Sequence, residues 1–308
     1  MNTMNISLPA HASGLLILAS LCWGGNIVLG RAVAVDVPPI GLSFWRWTTV
    51  ACMLMLYNHK RLSAQFRIVC QEWRLVATLS LTGMAIFHSV QYSALNSTTA
   101  INVALIVAVS PLLVPLLARL LLKTPISSYE MLGIFLSFLG LVFIVTRGRP
   151  GTLAELDFRS GDLLMLVGAC SWTVYTVVLK RKPDSLSSLT LLTWASALAA
   201  LCLLPLYLWE STIGGRAIEL SMTTVLSIAY TAVFASLAGF IFFNTGVAIL
   251  GPAKSAVYAH LIPVFASILA VLFLDEHFHT YHVLGIIAIG SGILVTTRAT
   301  PTKTNVQT

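Results

Sequence analysis

The sequence predicts an all-α integral membrane protein with ten transmembrane helices, arranged as two inverted five-helix repeats around a central cavity. The first supporting observation is composition: 57% of the 308 residues are hydrophobic and 9% are charged, whereas a soluble domain carries about 25% charged residues. The second is that residues 75–118 contain no Asp, Glu, Lys or Arg. The third is an internal repeat: Pro111 and Pro263 lie 152 residues apart, and the same shift relates Gly140 to Gly292.

Apolar runs define the spans in chain order. As one helix, the charge-free run 75–118 would extend about 66 Å, roughly twice the hydrocarbon thickness of a bilayer, so it must hold two spans. The polar segment 96–99 is the turn between them, and Gly251-Pro252 divides a second uncharged run, 220–253, in the same way. The predicted spans are 14–34, 38–57, 75–95, 99–121, 129–146, 161–180, 188–209, 223–248, 252–274 and 281–298.

The two repeats are predicted at residues 14–146 and 161–298. Because five is an odd number of spans, the second copy enters the membrane from the opposite face, as inverted repeats do. Most Lys and Arg residues outside the spans, such as Lys60, Lys123 and Lys182, fall on one side, and these residues favour the cytoplasmic side. We therefore expect a multi-pass protein of the cell inner (plasma) membrane with both termini in the cytoplasm.

The net charge and the cysteine content limit the classes of partner that we expect. The net charge of +7 is explained as a topology signal, and we expect no nucleic-acid partner because no basic patch interleaves with exposed aromatic residues. The five cysteines include no CxxC motif, so neither a disulfide framework nor a zinc site is indicated. We expect the lipid bilayer and a small-molecule substrate as partners, with no cofactor and no metal.

Short motifs in both copies carry a family resemblance. They include Trp23-Gly24-Gly25-Asn26, Phe44-Trp45-Arg46, Ser110-Pro111, Gly251-Pro252-Ala253-Lys254, Leu261-Ile262-Pro263-Val264-Phe265 and Leu274-Asp275-Glu276. Together, over about residues 14–298, the chain resembles the EamA-type branch of the drug/metabolite transporter superfamily. The resemblance implies ten helices around a cavity that is open to one side at a time, and movement of small metabolites such as amino acids or drugs, commonly outward. The chain departs from the family pattern at Leu122-Lys123-Thr124, where the family often has an acidic residue.

Polar residues inside the spans are the candidate substrate-binding residues, because an ionisable group at mid-membrane costs roughly 2.5–3.5 kcal/mol. Arg46 either faces the cavity and holds a substrate carboxylate, or snorkels outward or binds carbonyls of a neighbouring helix. His88, Gln91 and Tyr92 share one helix face, which indicates either a wet interior or a dry contact between helices. Tyr258 and His260 are two residues apart, so only one can fully face the cavity.

Aromatic and amide residues complete the candidate set. Trp23 and Asn26 in the first span correspond to Trp172 and Tyr175 in the sixth. Both pairs either line the cavity or pack against neighbouring helices. Asn244, in a run without charges, binds either substrate or a facing helix.

A duplicated membrane unit is typical of secondary transporters, which bind substrate between repeats and alternate access. A membrane-embedded enzyme and a receptor without transport are the alternatives, and a nucleotide-sugar carrier is the alternative among transporters. An enzyme needs clustered acid–base groups or metal ligands, and the spacing of the histidines and carboxylates shows no such cluster. We therefore expect a transporter with no catalytic residues, and the family resemblance implies export as its direction.

Overall fold

A computed structural model describes residues 8–33, 36–94, 97–155, 157, 159–273 and 279–298, and within these residues all regular structure is helical. Asp275 and Glu276 lie outside the described residues. The α-helices are α1 Leu8–Val33, α2 Pro39–Gln71, α3 Trp73–Leu79, α4 Phe87–Ala94, α5 Ala100–Val107, α6 Ser110–Leu122, α7 Ser128–Val145, α8 Ser160–Val178, α9 Ser188–Thr212, α10 Met222–Tyr230, α11 Gly239–Leu250, α12 Pro252–Ala256, α13 Ile262–Phe273 and α14 Thr280–Arg298.

Three irregular helical segments join some of these helices end to end. A π-helical segment, Ser80–Ile86, joins α3 to α4, and a second, Thr231–Ala238, joins α10 to α11. A 3₁₀ segment, Val257–Leu261, joins α12 to α13. The matching position in the first half is the break between α5 and α6, just before Pro111.

Hydroxyl side chains begin several of the helices. Thr99 accepts a hydrogen bond from the backbone N–H of Asn102 at the start of α5. The side chains of Ser187 and Ser221 do the same, at 3.1 Å each, at the starts of α9 and α10. Such caps satisfy backbone donors that have no partner within the helix, so the starts of these three helices follow from local sequence.

Among the residues that the structure describes, eight helical stretches are long and apolar enough, by length and composition, to cross a membrane. The predicted second and third spans, 38–57 and 75–95, are not among the eight, although residues 39–57 and 75–94 are helical. The physical reason is the polar side chains that these two segments carry, Arg46 in α2 and His88 and Gln91 in α4, which lower their mean hydropathy. Ten spans therefore remain a prediction.

Helices of the first half of the chain pack mainly against helices of the second half. Helix α8 packs against α4, α5 and α6, and we call these helices the α8 set. Helix α1 packs against α11 and α13, and these with α10 and α12 form the α1 set. Two pairs, α2 with α9 and α7 with α14, each join corresponding helices of the two halves.

Candidate functional site

A cavity of about 260 Å³ lies between the α8 set and the α1 set. Val103 and Ala104 of α5 line one wall, and Ala266 and Ser267 of α13 line the opposite wall. The cavity extends to Arg147, which is exposed. We call the end of the bundle at Arg147 the open end.

The opposite end of the bundle is packed shut. Val114 and Ala118 of α6, Val177 of α8 and Ala256 of α12 form a separate buried apolar cluster. Since α12 belongs to the α1 set, this cluster joins the two sets directly. We call this end the closed end.

Aromatic rings form the floor of the cavity. The rings of Trp23 and Trp172 lie edge to face with centroids 5.3 Å apart, and Phe87 lies 4.9 Å from Trp172. Trp23 Nε1 donates a 2.9 Å hydrogen bond to the carbonyl of Ala235 in the second π-helical segment. All three rings line the cavity, so its deepest part suits an apolar group.

A chain of hydrogen bonds runs from the cavity wall to Arg46. Asn26 and Tyr92 line the cavity, and the Tyr92 hydroxyl donates to Asn26 Oδ1 at 3.2 Å. Arg46 Nη1 donates to the Tyr92 oxygen at 3.3 Å, and Arg46 Nε donates to Ser236 Oγ. Arg46 is fully buried and stands behind Tyr92 rather than in the cavity wall. The guanidinium lies 5.1 Å from the centroid of the Trp47 ring, a distance typical of cation–π contacts.

His88, Gln91 and Tyr92 all line the cavity, so the structure brings this helix face to the interior. The His88 ring is 3% exposed, and its Nδ1 lies 3.3 Å from the carbonyl oxygen of Met84. His260 also lines the cavity, but both of its ring nitrogens already have partners, Ser137 Oγ at 2.8 Å and the Ala108 carbonyl at 3.2 Å. The His260 ring is therefore held in place mainly by hydrogen bonds within the protein.

Three candidate residues lie away from the cavity wall. Tyr175 and Asn244 are buried towards the closed end, where the Tyr175 hydroxyl donates to Asn244 Oδ1 at 2.8 Å. The Tyr258 hydroxyl donates to Ser13 Oγ at 2.7 Å. None of these three lines the cavity.

Several other residues at the site had little or nothing in the sequence to mark them as binding-site residues. Ser236 binds Arg46 across 190 positions of sequence, and one serine among many in apolar runs does not stand out. Phe87, Tyr281 and His282 line the cavity, and only the position of Phe87, beside His88, offered a local hint. Long-range packing determines which aromatic residues face inward.

Comparison with known proteins identifies similar chains. The profile of the EamA-like transporter family matches residues 12–146 and again 159–298. An uncharacterized transporter of Archaeoglobus fulgidus is 27% identical over 285 residues, which cover 92% of this chain and 96% of the relative. The uncharacterized transporter YyaM of Bacillus subtilis is 24% identical, with 91% of each chain covered. A crystal structure of a protein at 19% identity has a TM-score of 0.72 and covers 93% of this chain and 97% of the other, which shows a shared fold.

Proposed function

The chain belongs to the EamA-like transporter family, and from this premise we propose that it exports small amphipathic metabolites, such as amino acids or drugs, across the cell inner membrane by alternating access. The observation that carries the proposal is the cavity, which lies between two helix sets and is open at one end and shut at the other. A secondary transporter needs such a binding site near the bilayer midplane, between repeats that rock against each other. In this proposal no catalytic residue is required.

The helical irregularities support two repeats, at residues 14–146 and 161–298. The shift that relates Pro111 to Pro263 also relates the start of α6, Ser110, to the start of α13, Ile262. It superimposes the π-helical segment Ser80–Ile86 on Thr231–Ala238 within one residue. Irregular turns at matching positions are difficult to explain except by a common unit.

The packing supports an inverted relation between the repeats. Helices α1 and α8 hold corresponding positions in the two halves, and α1 contacts mainly second-half helices whereas α8 contacts mainly first-half helices. A two-fold axis that exchanges the halves accounts for this pattern. With five spans in each repeat, that axis lies in the membrane plane, both termini are cytoplasmic and the open end faces outward.

The composition of the cavity wall supports an amphipathic substrate. Rings of Trp23, Trp172 and Phe87 offer an apolar surface, while Asn26, His88 and Gln91 offer polar groups in the same cavity. Arg46 acts in this proposal through Tyr92 rather than by direct contact, because it stands behind the wall. Sites of this kind, largely apolar with a few placed polar groups, are typical for small molecules.

Counterflow in proteoliposomes tests the proposal. Purified full-length protein is reconstituted, loaded with each of the twenty unlabelled L-amino acids in turn, and mixed with the same amino acid carrying a ¹⁴C label outside. A secondary transporter accumulates label transiently in loaded vesicles, and we expect this for at least one amino acid. Recovered label that is chemically altered indicates an enzyme instead, and binding without accumulation indicates a receptor.

A matched pair of variants separates the cavity from general effects on folding. Ala104→Trp fills the cavity wall and is expected to abolish counterflow. Leu120→Trp places the same side chain at a position that is 76% exposed, where it faces lipid in this arrangement, and counterflow is expected to remain. Equal loss in both variants would contradict a transport path through this cavity.

A further inference from the structure

The hydrogen-bond chain behind the cavity fixes which polar atoms of Asn26 face a ligand. An arginine side chain has donors only and keeps its proton in proteins. Arg46 Nη1 therefore makes the Tyr92 oxygen an acceptor, and the hydroxyl proton of Tyr92 must point elsewhere. It is donated to Asn26, so the atom of Asn26 that faces Tyr92 is the amide oxygen and its nitrogen faces away.

The two N–H groups of Asn26 are consequently available to a ligand. Asn26 lines the cavity and is 7% exposed. Its Nδ2 has no hydrogen-bond partner among the residues that the structure describes, whereas its Oδ1 is occupied by Tyr92. A donor that lines a largely apolar cavity gains most from an acceptor brought by a ligand, because an unmade hydrogen bond there is costly.

The surrounding charges favour an anionic acceptor. Arg46 Nη2 is buried with no hydrogen-bond partner in the described part of the chain, and Arg147 stands at the open end of the cavity. No Asp or Glu is among the described residues that line this cavity. In a medium of low dielectric constant, an uncompensated cation attracts a negative group strongly.

We propose that Asn26 selects a carboxylate group on the transported molecule, and that Arg46 and Tyr92 are positioning residues that hold the Asn26 amide with its N–H groups towards that carboxylate. This assignment rests on the proposed transport function for its biological meaning, but it concerns binding alone. The second half of the chain supplies the contrast. There the Tyr175 hydroxyl donates to Asn244 Oδ1, but Ala195 stands where the first half has Arg46, and neither Tyr175 nor Asn244 lines the cavity.

The test compares three probes that share a carbon skeleton and differ in their polar group: 4-methylpentanoate, 4-methylpentanamide and 4-methylpentylamine. Binding of each ¹⁴C-labelled probe to the purified full-length protein in nanodiscs is measured by equilibrium dialysis, with empty nanodiscs as the blank. We expect the wild type to bind the carboxylate at least about tenfold more tightly than the amine, the size of effect that a charge-assisted hydrogen bond gives. The amide is expected to bind with intermediate affinity.

Variants then assign the preference to individual groups. Asn26→Asp replaces the N–H groups by a second acceptor and is expected to reverse the order, with the amine bound more tightly than the carboxylate. Arg46→Met frees the Tyr92 oxygen to accept from the Asn26 amide, so the preference is expected to fall about tenfold. Arg46→Lys keeps a donor and a charge and is expected to restore part of it. Tyr175→Phe removes the corresponding hydroxyl away from the cavity and is expected to keep the wild-type ratio of affinities.

The ratio of the affinities for the three probes distinguishes a positioning role from a structural one, because a misfolded variant loses binding of all three probes together. Each variant is therefore included only after it elutes as a single peak in size-exclusion chromatography. Equal binding of the three probes by the wild type, binding of none, or an unchanged ratio in Asn26→Asp would overturn the proposal. Absence of counterflow with the carboxylate preference intact would overturn the transport function and leave the present inference standing.

Discussion

Asp162 shows how one carboxylate joins the two halves near the open end. It is 1% exposed, and it accepts hydrogen bonds from Thr98 Oγ1 at 2.5 Å, Asn102 Nδ2 at 2.9 Å and the backbone N–H of Arg159 at 2.8 Å. Thr98 and Asn102 belong to the first half, and Asp162 lies in the first turn of α8. The carboxylate therefore caps its own helix and holds α5 against α8.

Replacing this carboxylate should destabilise the protein. Asp162→Ala leaves three donors without their acceptor, and we expect the free energy of unfolding to fall by about 2–3 kcal/mol, as for the loss of hydrogen bonds to a charged group. The measurement is the apparent unfolding temperature of the purified protein, followed by size-exclusion chromatography after heating. Asp184→Ala changes an exposed carboxylate and should have little effect. Similar losses in the two variants would show that the cluster at Asp162 contributes no special stability.

Individual residues mark the limit of prediction from sequence. Arg46, His88 and Tyr92 stood out because polar groups in apolar runs need a reason, and His88 and Tyr92 do line the cavity. The sequence left open whether Arg46 faces the cavity, and the structure places it one hydrogen bond behind the wall. That distinction depends on Ser236 and Tyr92, which are far from Arg46 in the chain and approach it only through tertiary packing.

Among the helices, the contact between α7 and α14 depends on glycines at corresponding positions. Gly133 lies against Gly292, and Gly140 lies against Gly285, so each pair joins one glycine from each half. A Cβ atom on Gly140 would lie 2.8 Å from the Cβ of Ala288, and one on Gly292 would lie 2.6 Å from the backbone nitrogen of Ser137. Small residues permit this close approach of helices in membranes.

One methyl group at this contact should therefore separate the helices. Gly292→Ala places its Cβ against the backbone of α7, and we expect a loss of about 1–3 kcal/mol, typical of overpacking. Gly290→Ala lies on the same helix, where a Cβ meets nothing within 4 Å. Because alanine favours helix over glycine, that variant should be neutral or slightly more stable. The unfolding temperatures of the two variants, measured side by side, check the prediction, and equal temperatures would contradict it.

The irregular segments were only partly predictable at this scale. Pro111 and Pro263 predict bends at corresponding points, since proline lacks the backbone N–H that a helix interior needs, and α6 and α13 begin one residue before them. The π-helical segments Ser80–Ile86 and Thr231–Ala238 contain no proline. Each offers a carbonyl to a distant side chain: Thr82 accepts from Ser171 Oγ, and Ala235 accepts from Trp23 Nε1. Such segments depend on tertiary partners and leave no local pattern.

For the whole molecule, the internal repeat predicts how the helices are arranged, but it does not predict which end of the cavity is open. The two halves have nearly the same pattern of helix contacts, yet the cavity separates α5 from α13 while α6 packs against α12 at the other end. Under exchange of the halves, these two contacts correspond to each other. In the proposed alternating access, each of these two contacts takes both the open and the shut form, and a few kcal/mol decide which is populated. Periodicity and spacing carry no information about that small difference.

We expect the Tyr175–Asn244 hydrogen bond to contribute to this preference, because it joins α8 to α11, and thus the α8 set to the α1 set, towards the closed end. Its loss in Tyr175→Phe removes about 1 kcal/mol from the form with this end shut. The ratio of molecules open at the Arg147 end to molecules open at the other end should therefore fall about fivefold. Tyr258→Phe is the matched control, since it also removes a buried tyrosine hydrogen bond, but one made to Ser13 within the α1 set.

Cysteine accessibility measures that ratio in a variant whose five native cysteines are replaced by serine. Ser267→Cys reports on the cavity wall, and Ala256→Cys reports on the closed end, where Ala256 is 2% exposed. When Tyr175→Phe is added, the reaction of a membrane-impermeant thiosulfonate applied from outside should slow at position 267. Reaction with the same reagent applied from the cytoplasmic side should become faster at position 256. Opposite changes are the signature of a shifted equilibrium, because local unfolding would make both cysteines react faster. Parallel changes, or the same response in Tyr258→Phe, would show that Tyr175 does not hold the closed end shut.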